Sequence, residues 1–154
     1  MKKIKTITIC SSGSFYERVF AVKQQLEKLG FKVLVPSTAE KMQRDGDFNI
    51  DNYKTWFKNP ADYKIKTKLM TEHFKKIIAG DAILVLNYEK QGITGYIGGN
   101  VLMEMTVAFL NKKPIYILNP IAQDLNIKEE VLGLQPKFLN GDLTKISPTT
   151  SQVI

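Results

Sequence analysis

The chain has 154 residues, enough for one domain with a sizeable core, and its 44% hydrophobic and 24% charged residues are ordinary for a soluble globular protein. Its 22 basic residues outnumber its 15 acidic ones, but nearly all are dispersed lysines without the arginine stripe of a nucleic-acid binder, so no nucleic-acid partner is expected. No apolar stretch reaches the roughly 20 residues that cross a bilayer, so no membrane partner is expected either. The single cysteine, Cys10, excludes an internal disulfide and favours a reducing, cytoplasmic location.

Strands and helices alternate along the chain. Short apolar runs predict strands at 4–10, 31–35, 82–86, 114–118 and 137–139, and apolar residues at helical spacing predict helices at 15–29, 62–79, 100–111 and 127–134. This alternation predicts a single α/β domain over residues 1–143, built on a doubly wound (Rossmann or flavodoxin-like) parallel sheet of four or five strands. The polar segment 37–61 is predicted to be irregular and lid-like, and residues 144–154 to form a frayed tail.

The topology also predicts where a ligand binds. In doubly wound sheets, ligands bind beyond the carboxyl ends of the strands, where the strand order reverses. Three predicted loops, 10–15, 87–100 and 119–123, follow strands and meet at that edge of the sheet. Chemistry is therefore expected among the residues of these loops and the helices that begin there.

Glu104 is the ionisable carboxylate that stands out. It is the only one between Gln91 and Asn111, and the residues around it in the predicted helix are apolar. A buried carboxylate is costly unless it is paired or used. Acids near a helix N-terminus also complement the helix dipole, but such acids usually lie on a polar face, which this helix lacks. We therefore favour a functional role for Glu104.

Two turns of small residues precede predicted helices at the ligand edge. The first is Ser11-Ser12-Gly13-Ser14, followed by Phe15, and the second is Gly98-Gly99-Asn100. Exposed amides at a helix N-terminus bind anions, and paired glycines permit a positive φ and a close approach of ligand to backbone. An ordinary helix cap explains the first turn equally well, with Ser12 or Ser14 as the capping residue. A tight loop with Asn100 as the N-cap is the alternative for the second turn, and Asn100 can serve both as a cap and as a ligand contact.

Other candidate residues have competing explanations. Asp81 opens the strand 82–86 and is favoured as a hydrogen-bond partner between elements, because its end of the strand faces away from the ligand edge. His73, the only histidine, is favoured as structural, and no second metal-type ligand lies near it in sequence, so no metal site is predicted. Cys10 is expected to be a small buried residue.

Aromatic residues mark the segment 37–61. Aromatics in a polar loop near a ligand edge are typical of a lid that stacks on a base or sugar. A satellite hydrophobic cluster or a subunit contact accounts for them equally well. The residues are Phe48, Tyr53, Trp56 and Phe57.

The stretch from Asp81 carries a recognisable combination of motifs. GDAILVLN is followed by a glycine loop and then by NVLMEMTVAFLNKKPIYILNP, which place Asp81, Gly98/Gly99, Glu104, Ala108 and Lys113-Pro114-Ile115 in order. This order resembles the nucleoside 2-deoxyribosyltransferase superfamily, which includes the deoxynucleoside 5′-monophosphate N-glycosidases. The first strand and its Ser/Gly turn resemble that family's substrate loop, so the resemblance extends over about residues 4–120. Cytokinin-activating phosphoribohydrolases also carry a Gly-Gly loop and a helical Glu.

The resemblance implies a glycosidic mechanism. Glu104 would attack C1′ of a deoxyribosyl group to form a covalent glycosyl-enzyme, after which water gives hydrolysis and a second base gives transfer. Many transferases have an Asp where this chain has Gly98, so hydrolysis of a deoxynucleoside monophosphate is preferred over transfer. The proton donor would be Tyr16, His73 or Asp81. Substrate contacts would come from Ser11, Ser12, Gly13, Ser14, Phe15, Trp56, His73, Gly98, Gly99 and Asn100.

The family's members are homodimers or larger, so an oligomer is expected here, and no cofactor is expected. Two other functions remain open at this point. One is a non-catalytic nucleotide-binding or sensing domain on the same scaffold, since a fold does not determine a function. The other is a flavin or other cofactor module.

Overall fold

The computed structural model describes residues 2–146 and 148, and its centre is a parallel sheet of five strands. The strand order is β2-β1-β3-β4-β5. The central strand β3 consists of the apolar run AILVL and is buried along its whole length, as expected for a parallel strand with both faces covered. The predicted doubly wound α/β fold is confirmed. The strands are β1 (Thr6–Ser11), β2 (Lys32–Leu34), β3 (Ala82–Leu86), β4 (Ile115–Ile117) and β5 (Lys137–Phe138).

Helices cover both faces of the sheet. Helix α1 packs on one face through Val19, Val22 and Leu26. The opposite face is covered by α3, α4 and α5, whose buried side chains join Cys10 and alternate residues of β3 and β4 in a second core. The helices are α1 (Tyr16–Lys28), α2 (Ser37–Asp45), α3 (Tyr63–Ala79), α4 (Gly99–Leu110) and α5 (Lys128–Gly133).

The segment 37–61 is more regular than its composition predicts. Helix α2 occupies its first part because Ala39 and Met42, three residues apart, bury one face, and Gly46, with φ 64°, ends the helix in the left-handed conformation. Short 3-10 turns at Ile50–Asn52, Thr55–Phe57 and Pro60–Asp62 then lead into α3.

The packed part of the chain continues past residue 143. A 3-10 turn spans Leu143–Lys145, and both Leu143 and Ile146 are buried against the α1 face of the sheet. The N–H of Ile4 donates a hydrogen bond of 2.7 Å to the carbonyl oxygen of Pro148. The other residues of the predicted tail lie outside the described residues.

The sheet order creates a crevice at one edge. Strand β1 lies between β2 and β3, and the helices that follow β1 and precede β3 pack on opposite faces, so the chain diverges at the carboxyl ends of these strands. Among the described residues, no helix combines the length and the apolar character that crossing a membrane requires.

Candidate active site

A cavity of about 220 Å³ lies at the carboxyl ends of β1 and β3. The turn after β1, the start of α4, the middle of α3 and the 3-10 turns after α2 contribute its walls. The sequence prediction placed ligand binding at this edge, and most of its candidates come together here. Those that line the cavity are Ser11, Ser12, Gly13, Tyr16, Trp56, His73, Gly98, Gly99, Asn100 and Glu104.

Ser14 and Phe15 face elsewhere. They line a neighbouring, more open cavity of about 580 Å³, together with Arg18 and Tyr88. Phe15 packs edge-on against the ring of Tyr88 at 5.4 Å, and the guanidinium of Arg18 lies 4.1 Å from the centre of that ring. The structure therefore separates these two residues from the cavity that contains Glu104.

Asp81 lies at the opposite edge of the sheet and does not line either cavity. Its Oδ2 accepts hydrogen bonds of 2.9 Å from the backbone N–H groups of Lys5 and Thr6, and its Oδ1 lies 3.5 Å from Nζ of Lys2. The motif-based assignment of Asp81 as a catalytic residue therefore has no geometric basis. Its alternative role as a hydrogen-bond partner between elements is the one observed.

Glu104 is held in the first turns of α4, behind the Gly98-Gly99 turn, and only 5% of its surface is exposed. The side-chain amide of Asn100, one helical turn earlier, donates to its Oε1 at 2.9 Å. Its Oε2 is buried with no hydrogen-bond partner among the described residues, and lies 3.8 Å from Nε2 of His73. One carboxylate oxygen is therefore fixed and the other is left available.

The surroundings of Glu104 favour its neutral form. Burial raises the pKa of Glu104 from 4.5 to about 8, against the opposing effects of the nearby Cys10 thiol, the charge of Lys66 and the hydrogen bond from Asn100. Since perturbed carboxyl groups in clefts are typical of catalytic sites, this shift supports the functional prediction made from the apolar helix.

Cys10 and His73 are buried beside Glu104, and His73 also lines the cavity. Sγ of Cys10 lies 3.5 Å from Nε2 of His73. Burial lowers the pKa of His73 to about 4, and the charge of Lys76 adds to this, while a backbone interaction with Ile9 opposes it. Burial, and then the charge of Glu104, raise the pKa of the Cys10 thiol well above its usual value. At neutral pH, His73 is therefore neutral and Cys10 is a thiol.

The expectation that His73 has no metal-type ligand near it is wrong in three dimensions. The ligand atoms of Cys10, His73 and Glu104 all lie within 4.8 Å of one another, and all three residues are buried. Sequence spacing missed this cluster because β1, α3 and α4 each supply one member.

Three lysines line the cavity and were not singled out from the sequence: Lys54, Lys66 and Lys90. Nζ of Lys66 donates to Oδ1 of Asn100 at 2.7 Å, and Nζ of Lys90 donates to Oγ of Ser12 at 3.2 Å. The dense lysine run from 54 to 76 was a visible signal, but its composition alone does not tell which lysines turn inward.

The lysines are close enough to repel one another. Burial, and then the charge of Lys90, lower the pKa of Lys54, with Asp51 opposing. Burial, and then the charge of Lys54, lower the pKa of Lys66, with Glu104 opposing. A rim of mutually repelling ammonium groups is stabilised by an anion, so the cavity favours a negatively charged ligand.

Both small-residue turns line the cavity, and neither caps the helix that follows it with a side chain. Ser12 precedes the 3-10 turn Gly13–Phe15 without a side-chain capping bond and instead accepts the hydrogen bond from Lys90. Gly98, not Asn100, is the N-cap of α4, with an extended φ of −96°. Neither glycine of the pair uses the positive φ that glycine permits; in the same loop Gly92 and Gly95 do, with φ of 78° and 63°.

A Cβ on Gly95 would lie 2.0 Å from the carbonyl oxygen of Pro120, so only glycine fits there. A Cβ on Gly99 would meet nothing within 4 Å, and Gly98, Gly99 and Asn100 line the cavity at the start of α4, where the first backbone N–H groups have no partner within the helix. The predicted anion-binding role of this turn therefore rests on its open backbone and not on an unusual conformation.

The aromatic residues of the segment 37–61 divide between cavity and surface. Trp56 is buried and, like Tyr53, lines the cavity, with Nζ of Lys66 5.6 Å from the centre of a Trp56 ring. Phe57 is 71% exposed. The segment thus forms one wall of the cavity, while its movement as a lid stays a prediction.

Comparisons with known proteins bear on the fold. No protein-family model matches the chain, and no curated protein matches it in sequence. Its structure is similar to that of a 2-deoxyribosyltransferase from the psychrotolerant bacterium Bacillus psychrosaccharolyticus, with a TM-score of 0.50 and 16% identity over 79% of this chain and 77% of that chain. The chain therefore shares a fold with a 2-deoxyribosyltransferase, in agreement with the resemblance of its motifs.

Proposed function

We propose that this protein cleaves the N-glycosidic bond of a nucleoside 5′-monophosphate, with Glu104 as the nucleophile. The observation that carries the proposal is a buried carboxylate with one free oxygen, opening onto a cavity lined by three lysines. The fold shared with a 2-deoxyribosyltransferase supports the same chemistry. A deoxyribose sugar follows from the motif resemblance.

The reaction begins when Oε2 of Glu104 bonds to C1′ as the C1′–N bond breaks and its electron pair leaves with the base. Asn100 holds Oε1, so the attacking oxygen is oriented. The leaving base takes a proton from Tyr16, which lines the same cavity. Water then attacks C1′, releases the sugar phosphate and restores both Glu104 and Tyr16.

Tyr16 is the remaining proton donor of the three candidates. Asp81 lies at the other edge of the sheet. His73 is neutral, since burial lowers its pKa to about 4, and its Nε2 lies beside Oε2 of Glu104 and Sγ of Cys10. Burial, and then the charges of Glu104 and Cys10, raise the pKa of Tyr16, so its hydroxyl stays protonated and close to the reacting carboxylate.

The 5′-phosphate is assigned to the lysine side of the cavity. Lys54, Lys66 and Lys90 supply positive charge, and the open backbone before α4 supplies amide donors. Hydrogen bonds between charged groups are roughly twice as strong as neutral ones.

The predicted homo-oligomer stays a prediction.

Base release tests the proposal. The protein, Glu104→Gln, Glu104→Ala and the surface control Glu130→Gln are incubated with deoxynucleosides, ribonucleosides and their 5′-monophosphates, with and without a second free base. Chromatography should show release by the protein and the control, abolished in both Glu104 variants. A new nucleoside formed in the presence of the second base would indicate transfer.

A non-catalytic nucleotide-binding domain is the second candidate. It is favoured by one observation: with a pKa of about 8, Glu104 is mostly protonated at pH 7. In that case no base would be released from any substrate, and Glu104→Gln would bind nucleotides as tightly as the native protein.

A further inference from the structure

Cys10, His73 and Glu104 bring a sulfur, an imidazole nitrogen and a carboxylate oxygen together, and His73 and Glu104 also line the cavity. Sγ of Cys10 lies 3.5 Å from Nε2 of His73, which lies 3.8 Å from Oε2 of Glu104. All three ligand atoms lie within 4.8 Å of one another. The three residues come from β1, α3 and α4, so the sheet and two packed helices hold them in place.

The distances suit a tetrahedral metal ion. Zinc bonds of about 2.0–2.3 Å to nitrogen, oxygen and sulfur place neighbouring ligand atoms about 3.3–3.6 Å apart. The Cys10–His73 separation of 3.5 Å lies within this range, and the His73–Glu104 separation of 3.8 Å lies slightly above it. Three protein ligands leave a fourth position for a water molecule, as in catalytic zinc sites, and two of the three residues, His73 and Glu104, line the cavity.

An unpartnered atom independently points to a ligand. Oε2 of Glu104 is buried and, among the described residues, has no hydrogen-bond partner. It is directed at Nε2 of His73, yet the separation of 3.8 Å is too long for a hydrogen bond. A buried carboxylate oxygen in this position gains a partner when a cation binds between it and the imidazole.

We propose that Cys10, His73 and Glu104 bind one Zn²⁺ ion, and that the bound ion inhibits the protein. Binding releases the protons of the Cys10 thiol and of the Glu104 carboxyl group to solvent and places Oε2 of Glu104 in the coordination sphere. The inhibitory part rests on the proposed function, because an oxygen bonded to zinc cannot attack C1′. The nearby charge of Lys66 opposes the cation, so the site is weaker than a four-ligand structural zinc site.

Metal binding is measured first, without reference to activity. The full chain, free of any affinity tag and stripped with a chelator, is titrated with Zn²⁺ against a chromophoric chelator, and with Co²⁺ for its spectrum. One ion per chain is expected, with tetrahedral cobalt absorption and a thiolate-to-cobalt charge-transfer band. The chain has one cysteine and one histidine, so no other thiol or imidazole competes for the ion.

Variants then locate the site. Cys10→Ser should remove the charge-transfer band, and both it and His73→Gln should weaken zinc binding by about tenfold or more. Glu130→Gln, an exposed acid on α5, should bind as the native chain does. Circular dichroism checks the fold, with Cys10→Ala in place of a serine variant that unfolds. Absent binding, or affinity unchanged in all the ligand variants, overturns the proposal.

Base release is measured last, at increasing zinc occupancy. Release that falls in proportion to occupancy and returns when a chelator is added supports inhibition. Release that is unchanged or increased by bound zinc overturns it. If the stripped protein releases no base while zinc binding still depends on Cys10 and His73, the proposed function fails and the metal site stands.

Discussion

Glu104 and Asp81 lie at opposite edges of the sheet, and the pKa values of their carboxyl groups are shifted in opposite directions. Asp81 accepts hydrogen bonds from two backbone N–H groups and lies beside Lys2. Burial alone would raise the pKa of Asp81, but the N–H groups of Lys5 and Thr6, and then Lys2, lower it. Glu104 has one amide donor, an unpartnered oxygen and a pKa raised to about 8 by burial.

The difference shows how partners and burial distinguish a structural acid from one that we propose to be functional. Folding stabilises the charged form of Asp81, because backbone N–H groups donate to its carboxylate. These hydrogen bonds link the residues at the start of β1 to the residue that precedes β3. Folding opposes the charge of Glu104, which is expensive to keep in a core unless a ligand or a reaction uses it. Both acids belong to the same sequence motif, and only their partners separate them.

The largest expected effect is a loss of base release that occurs when Glu104 is replaced and not when Asp81 is replaced. Glu104→Gln keeps the shape and removes the nucleophile, so base release should fall on the order of 10⁴-fold or more. Asp81→Asn should leave the rate constant of release unchanged, because Asp81 is outside the cavity. Chromatographic rates on both variants test this. Equal losses in the two variants would remove the distinction.

The contribution of Glu104 to the free energy of unfolding should depend on pH. The pKa of Glu104 is higher in the folded chain, about 8, than its usual 4.5, so its contribution to stability is present below pH 4.5 and is lost as pH rises to about 8. The difference between these two pKa values corresponds to roughly 3–5 kcal/mol in the free energy of unfolding. Glu104→Gln should therefore gain stability relative to the native chain between pH 5 and pH 8.5. Urea unfolding at several pH values measures it, and parallel curves for the two chains would contradict it.

The lysines that line the cavity should distinguish substrates. Lys54→Ala, Lys66→Ala and Lys90→Ala should each raise KM for a 5′-monophosphate about 10–100-fold, because a charged hydrogen bond to phosphate contributes about 1.5–3 kcal/mol. KM for the matching unphosphorylated nucleoside should change little. Lys28→Ala, an exposed lysine at the end of α1, is the control. Equal effects on both substrates would place the phosphate elsewhere.

Asp81 should matter for stability instead. Asp81→Ala leaves the N–H groups of Lys5 and Thr6 without their acceptor, at a cost of about 1–3 kcal/mol at neutral pH. Because the pKa of Asp81 is lower in the folded chain, its contribution is present above its unfolded pKa and is lost as pH falls through the folded one. The cost should therefore shrink in acid, as chemical denaturation at pH 7 and pH 3 would show.

The pH dependence of the rate gives the smallest effect. Only ionised Glu104 can attack, and with a pKa of about 8 its ionised fraction rises about tenfold between pH 7 and pH 9. The rate of base release should rise by about that factor. A rate that falls over this range would assign catalysis to a group that must be protonated.

The alternating pattern of the sequence determined the fold and the edge at which the site lies. Apolar runs such as 82–86 and the 3.6-residue spacing in α1 and α3 are local signals, and parallel topology follows from their alternation. Glu104 could be predicted because its neighbours in sequence are also its neighbours on the helix. Helix α2 was missed because its buried face is short, with Ala39 and Met42 among polar residues.

Only the tertiary structure decided which residues share the cavity. Cys10 and His73 are 63 residues apart, and Lys90 and Ser12 are 78 apart, so no local spacing could pair them. It also separated Asp81 from Glu104, since a parallel strand carries the two ends of one motif to opposite edges of the sheet. Hydrogen-bond partners and burial set the charge of each acid, and both are properties of packing rather than of residue order.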